Sequence, residues 1–295
     1  MERNTFLKLI GLYTIGYIMT NLNDLNKMAG TFTNTAKMPV LFVGHGNPMN
    51  AIEENIFVDG FRKIANEIEK PNAILCISAH WLTNGTKVTA MPFPQTIHDF
   101  GGFPDELFQV QYPAKGSPEL ARETKSLLAP TPIELDEKWG LDHGTWSILR
   151  RMYPNADIPV IQLSIDCNKP MKWHYDLAKQ LNALRSKGVL IIGSGNIIHN
   201  LRLVDFYNIN KVDYGFDWAI EARIVFNDYL LCENFEAIIN YDKGPASLKL
   251  AVPTPDHFIP LLYTLGLKEN TDKLSLFNDN LVAGSLSMTS VLLEA

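Results

Sequence analysis

Three short apolar runs in this chain each end on a glycine or serine and then, within a few residues, on a histidine. Val40-Leu41-Phe42-Val43 leads into Gly44-His45-Gly46-Asn47-Pro48, and Ile74-Leu75-Cys76-Ile77 into Ser78-Ala79-His80-Trp81. Val189-Leu190-Ile191-Ile192 leads into Gly193-Ser194-Gly195-Asn196-Ile197-Ile198-His199. Unbroken apolar runs of this length, rich in β-branched residues, suit strands covered on both faces of a parallel sheet. In open α/β sheets, ligands collect at the carboxyl ends of the strands, where loops converge on a rigid support. The runs predict an α/β fold, a single domain with a central mostly parallel sheet flanked by helices. His45, His80 and His199 then share the carboxyl edge of the strands, where the active site is expected.

The segments between the runs alternate accordingly. Helical spacing of Phe57, Phe61, Ile64, Ala65 and Ile68 predicts a helix closed by Pro71, and Ser117-Pro118-Glu119 caps another that extends to Leu128. A helix through Trp146, Ile148, Leu149 and Met152 follows Asp142-His143-Gly144. One long helix is expected over 170–187, stopped by Gly188, and further helices over 216–231, 233–240 and 255–265. The last would hold Asp256 and His257 in its first turn. Strands are expected over 88–91, 132–135, 158–165, 273–277 and 285–293, and 92–104 reads as a long functional loop. Gly193 to Asn196 reads as a flexible turn ahead of His199.

Composition narrows the partners. With a formal net charge of -6 and no basic run, the chain is not expected to bind nucleic acid, so a small molecule is the default partner. Three widely spaced cysteines provide neither a disulfide framework nor a C-x-x-C zinc site. The apolar stretch Phe6 to Met19 is interrupted by Lys8 and falls short of the about 20 residues that a membrane span needs. Glu2-Arg3-Asn4-Thr5-Phe6-Leu7-Lys8 is similar to a twin-arginine export signal, but carries one arginine and no A-x-A cleavage site. Residues 1–37 are therefore expected to form a leader or N-terminal extension and 38–295 the catalytic domain. A cytoplasmic location is expected, with export by a degenerate leader as the alternative; a homo-oligomer is allowed.

Metal binding is the leading reading of His45, His80 and His257, because imidazole is the commonest protein ligand of first-row metals and three rigid donors leave positions open for reactants. The chain has no H-E-x-x-H helix and no G-x-x-x-x-G-K-[ST] loop. Gly193-Ser194-Gly195 meets neither the G-x-S-x-G elbow nor the G-x-G-x-x-G fingerprint, which leaves Ser194 a turn residue. Trp81, next to His80, is expected to wall an aromatic pocket.

The motifs G-H-G-N-P-M at 44–49, S-A-H-W at 78–81, T-I-H-D-F-G-G-F-P at 96–104, D-H-G at 142–144, G-N-I-I-H-N at 195–200 and P-T-P-D-H-F at 253–258 occur in this order. Together they resemble the class III extradiol ring-cleavage dioxygenases, in particular the DOPA 4,5-dioxygenase branch. The resemblance implies a mononuclear non-haem metal, normally Fe(II), and opening of a catechol ring by O2 to a muconic semialdehyde. It implies His45, His80 and His257 as ligands, with His199 as the catalytic acid/base or a fourth group touching the metal. It places His143 and His98 at the substrate pocket, His143 also as a catalytic candidate. Some relatives supply a glutamate as third ligand where this chain has His257, with Asp256 beside it as the alternative, and an all-histidine site also suits Zn(II). Two rival readings stand: a zinc hydrolase with Asp256 as base, and a metal-binding protein without turnover.

Overall fold

The computed structural model describes residues 35–209 and 211–294, so the expected leader lies outside the described residues except for Thr35 to Lys37. The chain enters the central sheet through β1 (Val40–Gly44), passes helix α1 (Ile56–Glu67) and returns in β2 (Ala73–Ser78). Helices α2 (Pro118–Leu127) and α3 (His143–Met152) precede β3 (Val160–Gln162). Helix α4 (Met171–Ala178) leads to β4 (Val189–Gly195), and α5 (Asp217–Leu231) and α6 (Ile259–Gly266) precede β5 (Lys273–Phe277) and β6 (Ser290–Glu294). The sheet order is β5-β6-β1-β4-β2-β3. The last four strands of that order are mutually parallel, while β6 and β5 close the other edge antiparallel. The expected mostly parallel α/β domain is what the chain builds.

The apolar runs read as two-faced strands because they are. Every residue of β1, β2 and β4 is buried. On one face Leu41, Val43, Ile74 and Cys76 join Phe61 and Ile64 of α1 and Trp146 and Ile148 of α3 in one core cluster. On the other face α6 packs closely enough for Thr264 Oγ1 to donate to the Leu41 carbonyl of β1 at 2.9 Å. Register brings Gly44 of β1 opposite Gly195 of β4, and Ser194 of β4 opposite Ser78 of β2, so three adjacent strands end at one level.

Several expected elements are cut differently. The strand over 158–165 breaks after Gln162, and Ile165–Asp166 pairs instead with Leu82–Thr83. The helix over 170–187 is α-helical only to Ala178 and continues as a 3-10 stretch, ending at Gly188 with φ 74°. The 255–265 helix starts only at Ile259, so Asp256 and His257 lie in the turn before it, behind Pro253 and Pro255 and ahead of Pro260, which has no N–H to donate. Gly193 to Gly195 is not a flexible turn but the end of β4, paired on both sides.

One buried ion pair ties the amino-terminal entry to the far edge. The Arg185 guanidinium holds both oxygens of Asp272 at 2.7 and 2.9 Å, and neither side chain reaches solvent. The same guanidinium donates to the carbonyls of Met38 and Leu267, and Lys37 Nζ lies 3.1 Å from Asp272. Burial pushes the Asp272 carboxyl up, but the contacts with Arg185, the Glu269 N–H and Lys37 together outweigh it and bring the pKa to about 2. The contribution to stability is therefore complete above the unfolded carboxylate value of about 3.9 and is lost as pH falls through about 2. Asp272→Ala leaves a buried guanidinium uncompensated and is expected to cost about 3–5 kcal/mol. Denaturant unfolding at neutral pH measures this, and a loss below about 1 kcal/mol would show that the pair carries no such load.

Candidate metal centre

Each histidine of the site is delivered by a different strand end or by a turn laid against one. His45 follows β1 directly, and its N–H donates to the carbonyl of Gly195 at 3.0 Å. His80 lies two residues past β2. The turn carrying His257 rests on the end of β4: Asn196 N–H donates to the His257 carbonyl at 2.9 Å, and a Cβ on Gly195 would come within 2.1 Å of that oxygen. Only glycine permits that approach. His143 opens α3, whose N-cap is Asp142. His199 is held by its own N–H on the Ala251 carbonyl and by a bridge to Leu286, so it is pinned from two sides.

These five histidines form one cluster. The ring centroids of His45, His80 and His257 are 4.9–5.2 Å apart, and His80 and His143 lie at 3.9 Å. His199 stacks on His257 at 3.6 Å, the ring planes nearly parallel at 11°. Nε2 of His45 and Nε2 of His80 face each other at 3.3 Å.

The outer partners fix where the protons sit. Ser194 Oγ donates to the Gly144 carbonyl at 2.5 Å, so toward His45 Nδ1, 2.9 Å away, it can only accept. That puts the His45 proton on Nδ1 and leaves a lone pair on Nε2. His257 Nδ1 donates to the Asp256 carboxylate, and His80 Nδ1 lies 3.3 Å from Asp99 Oδ2, which orients both rings the same way. Three imidazoles thus turn Nε2 lone pairs inward, and the opposed pair on His45 and His80 has no proton to share between them. A divalent cation fits this donor set, and each ligand candidate already has the outer hydrogen-bond partner typical of metal-bound histidine.

Electrostatics favour the same state. Burial first, then the neighbouring His80 ring, drives the His45 pKa well below its ordinary value. Burial and His143 bring His80 to about 2, and burial and His257 bring His199 to about 3. Burial works against ionisation of Asp99, yet its contact with the His143 ring and the His143 N–H donated to Oδ1 at 2.9 Å hold its carboxyl below the ordinary value. Asp142, wholly buried, is pushed up by burial and by the Asp99 charge, although Ser78 and Gln162 both donate to it, at 2.7 and 2.6 Å. It ties the ends of β2 and β3 to the start of α3.

A cavity of about 780 Å3 opens beside the cluster. His45, His80, His143, His199 and His257 line it, together with Phe100 and Phe103. Two expected pocket residues do not. Trp81 is buried and stacked on Trp139 at 5.7 Å with an angle of 2°, because the residue after His80 points to the opposite side of the strand end. His98 Nε2–H donates to the Val110 carbonyl at 3.0 Å, and the ring packs against Trp146 behind Phe100. Phe100 takes the wall position instead. Asp256, the alternative ligand and the base required by a hydrolase, is engaged by His257 Nδ1. Asp99 and Ser194 were missed as supports, although the first has a signal: His98-Asp99, Asp142-His143 and Asp256-His257 each place a carboxylate next to a histidine.

Residues 35–290 match the family model described as the catalytic LigB subunit of aromatic ring-opening dioxygenase. The chain belongs to this family. It is 43% identical to the 4,5-DOPA dioxygenase extradiol of Escherichia coli (strain K12), over 88% of this chain and 95% of that protein. It is 38% identical to the 4,5-DOPA dioxygenase extradiol of Beta vulgaris, over 84% and 94% respectively. The crystal structure of an uncharacterized protein from Escherichia coli K12 superposes with a TM-score of 0.76 at 40% identity, covering 88% of this chain and all of that one. By family and relatives, this chain is a metal-dependent extradiol dioxygenase. No helix among the described residues is long and apolar enough to cross a membrane.

In the metal-free protein His45, His80 and His199 stay neutral where the unfolded chain titrates, near pH 6.5. The unfolded chain then binds more protons below that value, so stability is complete above about pH 6.5 and falls as pH drops from there toward about 3, the folded value of His199. Metal-free protein is expected to lose melting temperature over that interval, with a shallower slope in His199→Asn. An unchanged slope in that variant would show that His199 is not held neutral by the fold.

Proposed function

We propose that His45, His80 and His257 hold one divalent metal, Fe(II) for turnover, and that the chain opens the ring of a catechol with O2 to give a muconic semialdehyde. The convergence of three Nε2 lone pairs, with a neutral fourth imidazole stacked beside them at the mouth of a cavity, carries this reading. Iron supplies the electron route between ring and oxygen and acidifies the catechol hydroxyls, whereas Zn(II) has no redox chemistry to offer.

The protein's own part is positioning and proton transfer. Phe100 and Phe103 wall the ring into the cavity, and burial keeps His45, His80 and His199 uncharged. His199, neutral and without a side-chain hydrogen bond among the described residues, is the proton acceptor for a catechol hydroxyl and returns that proton later in the cycle. His143, its Nδ1 side turned to Asp99 at 3.0 Å, has its other nitrogen left for a substrate oxygen. The relatives' names support DOPA as a substrate. The hydrolase reading loses its base to His257, and a purely structural site would not adjoin a cavity of this size.

Alanine at His45, His80 or His257 is expected to abolish or severely weaken metal binding, whereas His199→Ala keeps metal and catechol affinity but loses roughly two to four orders of magnitude in turnover. Metal analysis, catechol titration under nitrogen and oxygen uptake on the same samples separate the roles, and full occupancy in all three ligand variants would remove them from the site.

The catalytic domain on this reading begins at Thr35 rather than at Met38, since Thr35 N–H bonds to the Ser186 carbonyl and Lys37 reaches Asp272. Deleting residues 1–34 is expected to leave a folded metal-binding catalyst. Insolubility or metal loss in the truncated chain would place the leader within the domain.

A further inference from the structure

The cavity is far larger than a catechol ring, so the ring's substituent must meet the rest of its wall. Beyond the histidines one side is apolar: Leu201, Val204, Phe206, Ile209, Val212 and Leu286 line it. Among the described residues that line the cavity there is no lysine and no arginine. The nearest cations in sequence, Arg202 and Lys211, belong to the same segment but do not line the cavity, and the Lys211 ammonium lies 4.8 Å from the Tyr214 ring centroid.

The polar side of the wall carries the carboxylates of Glu53 and Glu54 and the amides of Asn47, Asn50, Asn55 and Asn196. The amide nitrogen of Asn50 donates to the His45 carbonyl at 3.0 Å, and that of Asn55 to Asn50 Oδ1 at 2.8 Å. Asn196 Oδ1 is buried without a partner, while its amide nitrogen is taken by the Ser287 carbonyl. Glu54 is held by Arg62 and Arg151, but the Glu53 side chain has no ion-pair partner among the described residues. A carboxylate brought here would exchange water for apolar carbon and more acceptors, which is costly. An ammonium or an alkyl group would not suffer that penalty.

We infer that this site selects catechols whose ring substituent is apolar or ends in an ammonium group, and discriminates against those ending in a carboxylate alone. The inference rests on the catechol-opening reading and adds the substituent class to it. A zwitterionic side chain such as that of DOPA falls between the two.

The test compares three catechols of matched length, 4-propylcatechol, dopamine and 3-(3,4-dihydroxyphenyl)propanoate, on the full chain. With Fe(II)-loaded enzyme, kcat/KM for the acid is expected at least about tenfold below both others, the size of effect an unpaired buried charge produces. The Zn(II)-loaded protein under nitrogen, where no turnover occurs, is expected to give the same order of affinities. Phe206 is 74% exposed, so Phe206→Arg tolerates the change and is expected to raise the acid's kcat/KM relative to dopamine's by about tenfold. An acid used or bound as well as 4-propylcatechol overturns the inference, as does a Phe206→Arg variant with an unchanged ratio. Oxygen uptake with none of the three overturns the catechol reading instead, and the affinity order on the Zn(II) protein still decides the substituent preference.

Discussion

Three adjacent parallel strands that stop at the same level are the constraint on which the centre depends. Because Gly44 pairs with Gly195 and Ser194 with Ser78, the chain leaves the sheet at three neighbouring points within one layer. His45 and His80 start from two of those points, and the turn bearing His257 is clasped against the third by the Asn196 N–H. A slip of one residue in any of these strands would exchange its two faces and set side chains fitted to α1 and α3 against α6, so the packing that fixes register also fixes the distances between imidazoles. Precision at the site is thus a by-product of core formation rather than of the loops themselves.

The second layer of control is the set of acceptors behind the rings. Ser194 and Asp256 each take the Nδ1 side of one histidine and Asp99 that of two, and the three belong to different parts of the chain. Asp142 does the same work for a whole element, holding the start of α3 to Ser78 and Gln162. His45, His80 and His199 stay uncharged because burial and mutual repulsion act in the same direction on all three. Loss of stability in acid therefore has two separate sources, the imidazoles just below neutrality and Asp272 far below it.

Much of this was legible before any coordinates. The apolar runs identified the parallel core because two-sided burial leaves no alternation, and the histidines just past them marked the edge. What the sequence misjudged was short-range: Trp81 and His98 adjoin the right residues but face away, since neighbours in extended chain point to opposite sides. The 255–265 helix began late because its prolines shape a turn first. Asp99 as a shared partner of His80 and His143 could not be read from spacing, because it joins a loop to two separate elements. Gly193 to Gly195 looked like a hinge by composition, yet the absence of side chains serves close packing of α6 and of the His257 turn against β4.

An inward face built only of imidazole nitrogens also bears on metal supply. Such a face offers no anionic oxygen that would favour harder ions, and nitrogen donors bind Cu(II), Ni(II) and Zn(II) more tightly than Fe(II) along the first-row series. On the proposed assignment, His45, His80 and His257 therefore do little to reject those competitors. Which ion reaches the site first, and how much of each the surroundings hold free, decides how many molecules in a population are loaded for oxygen chemistry.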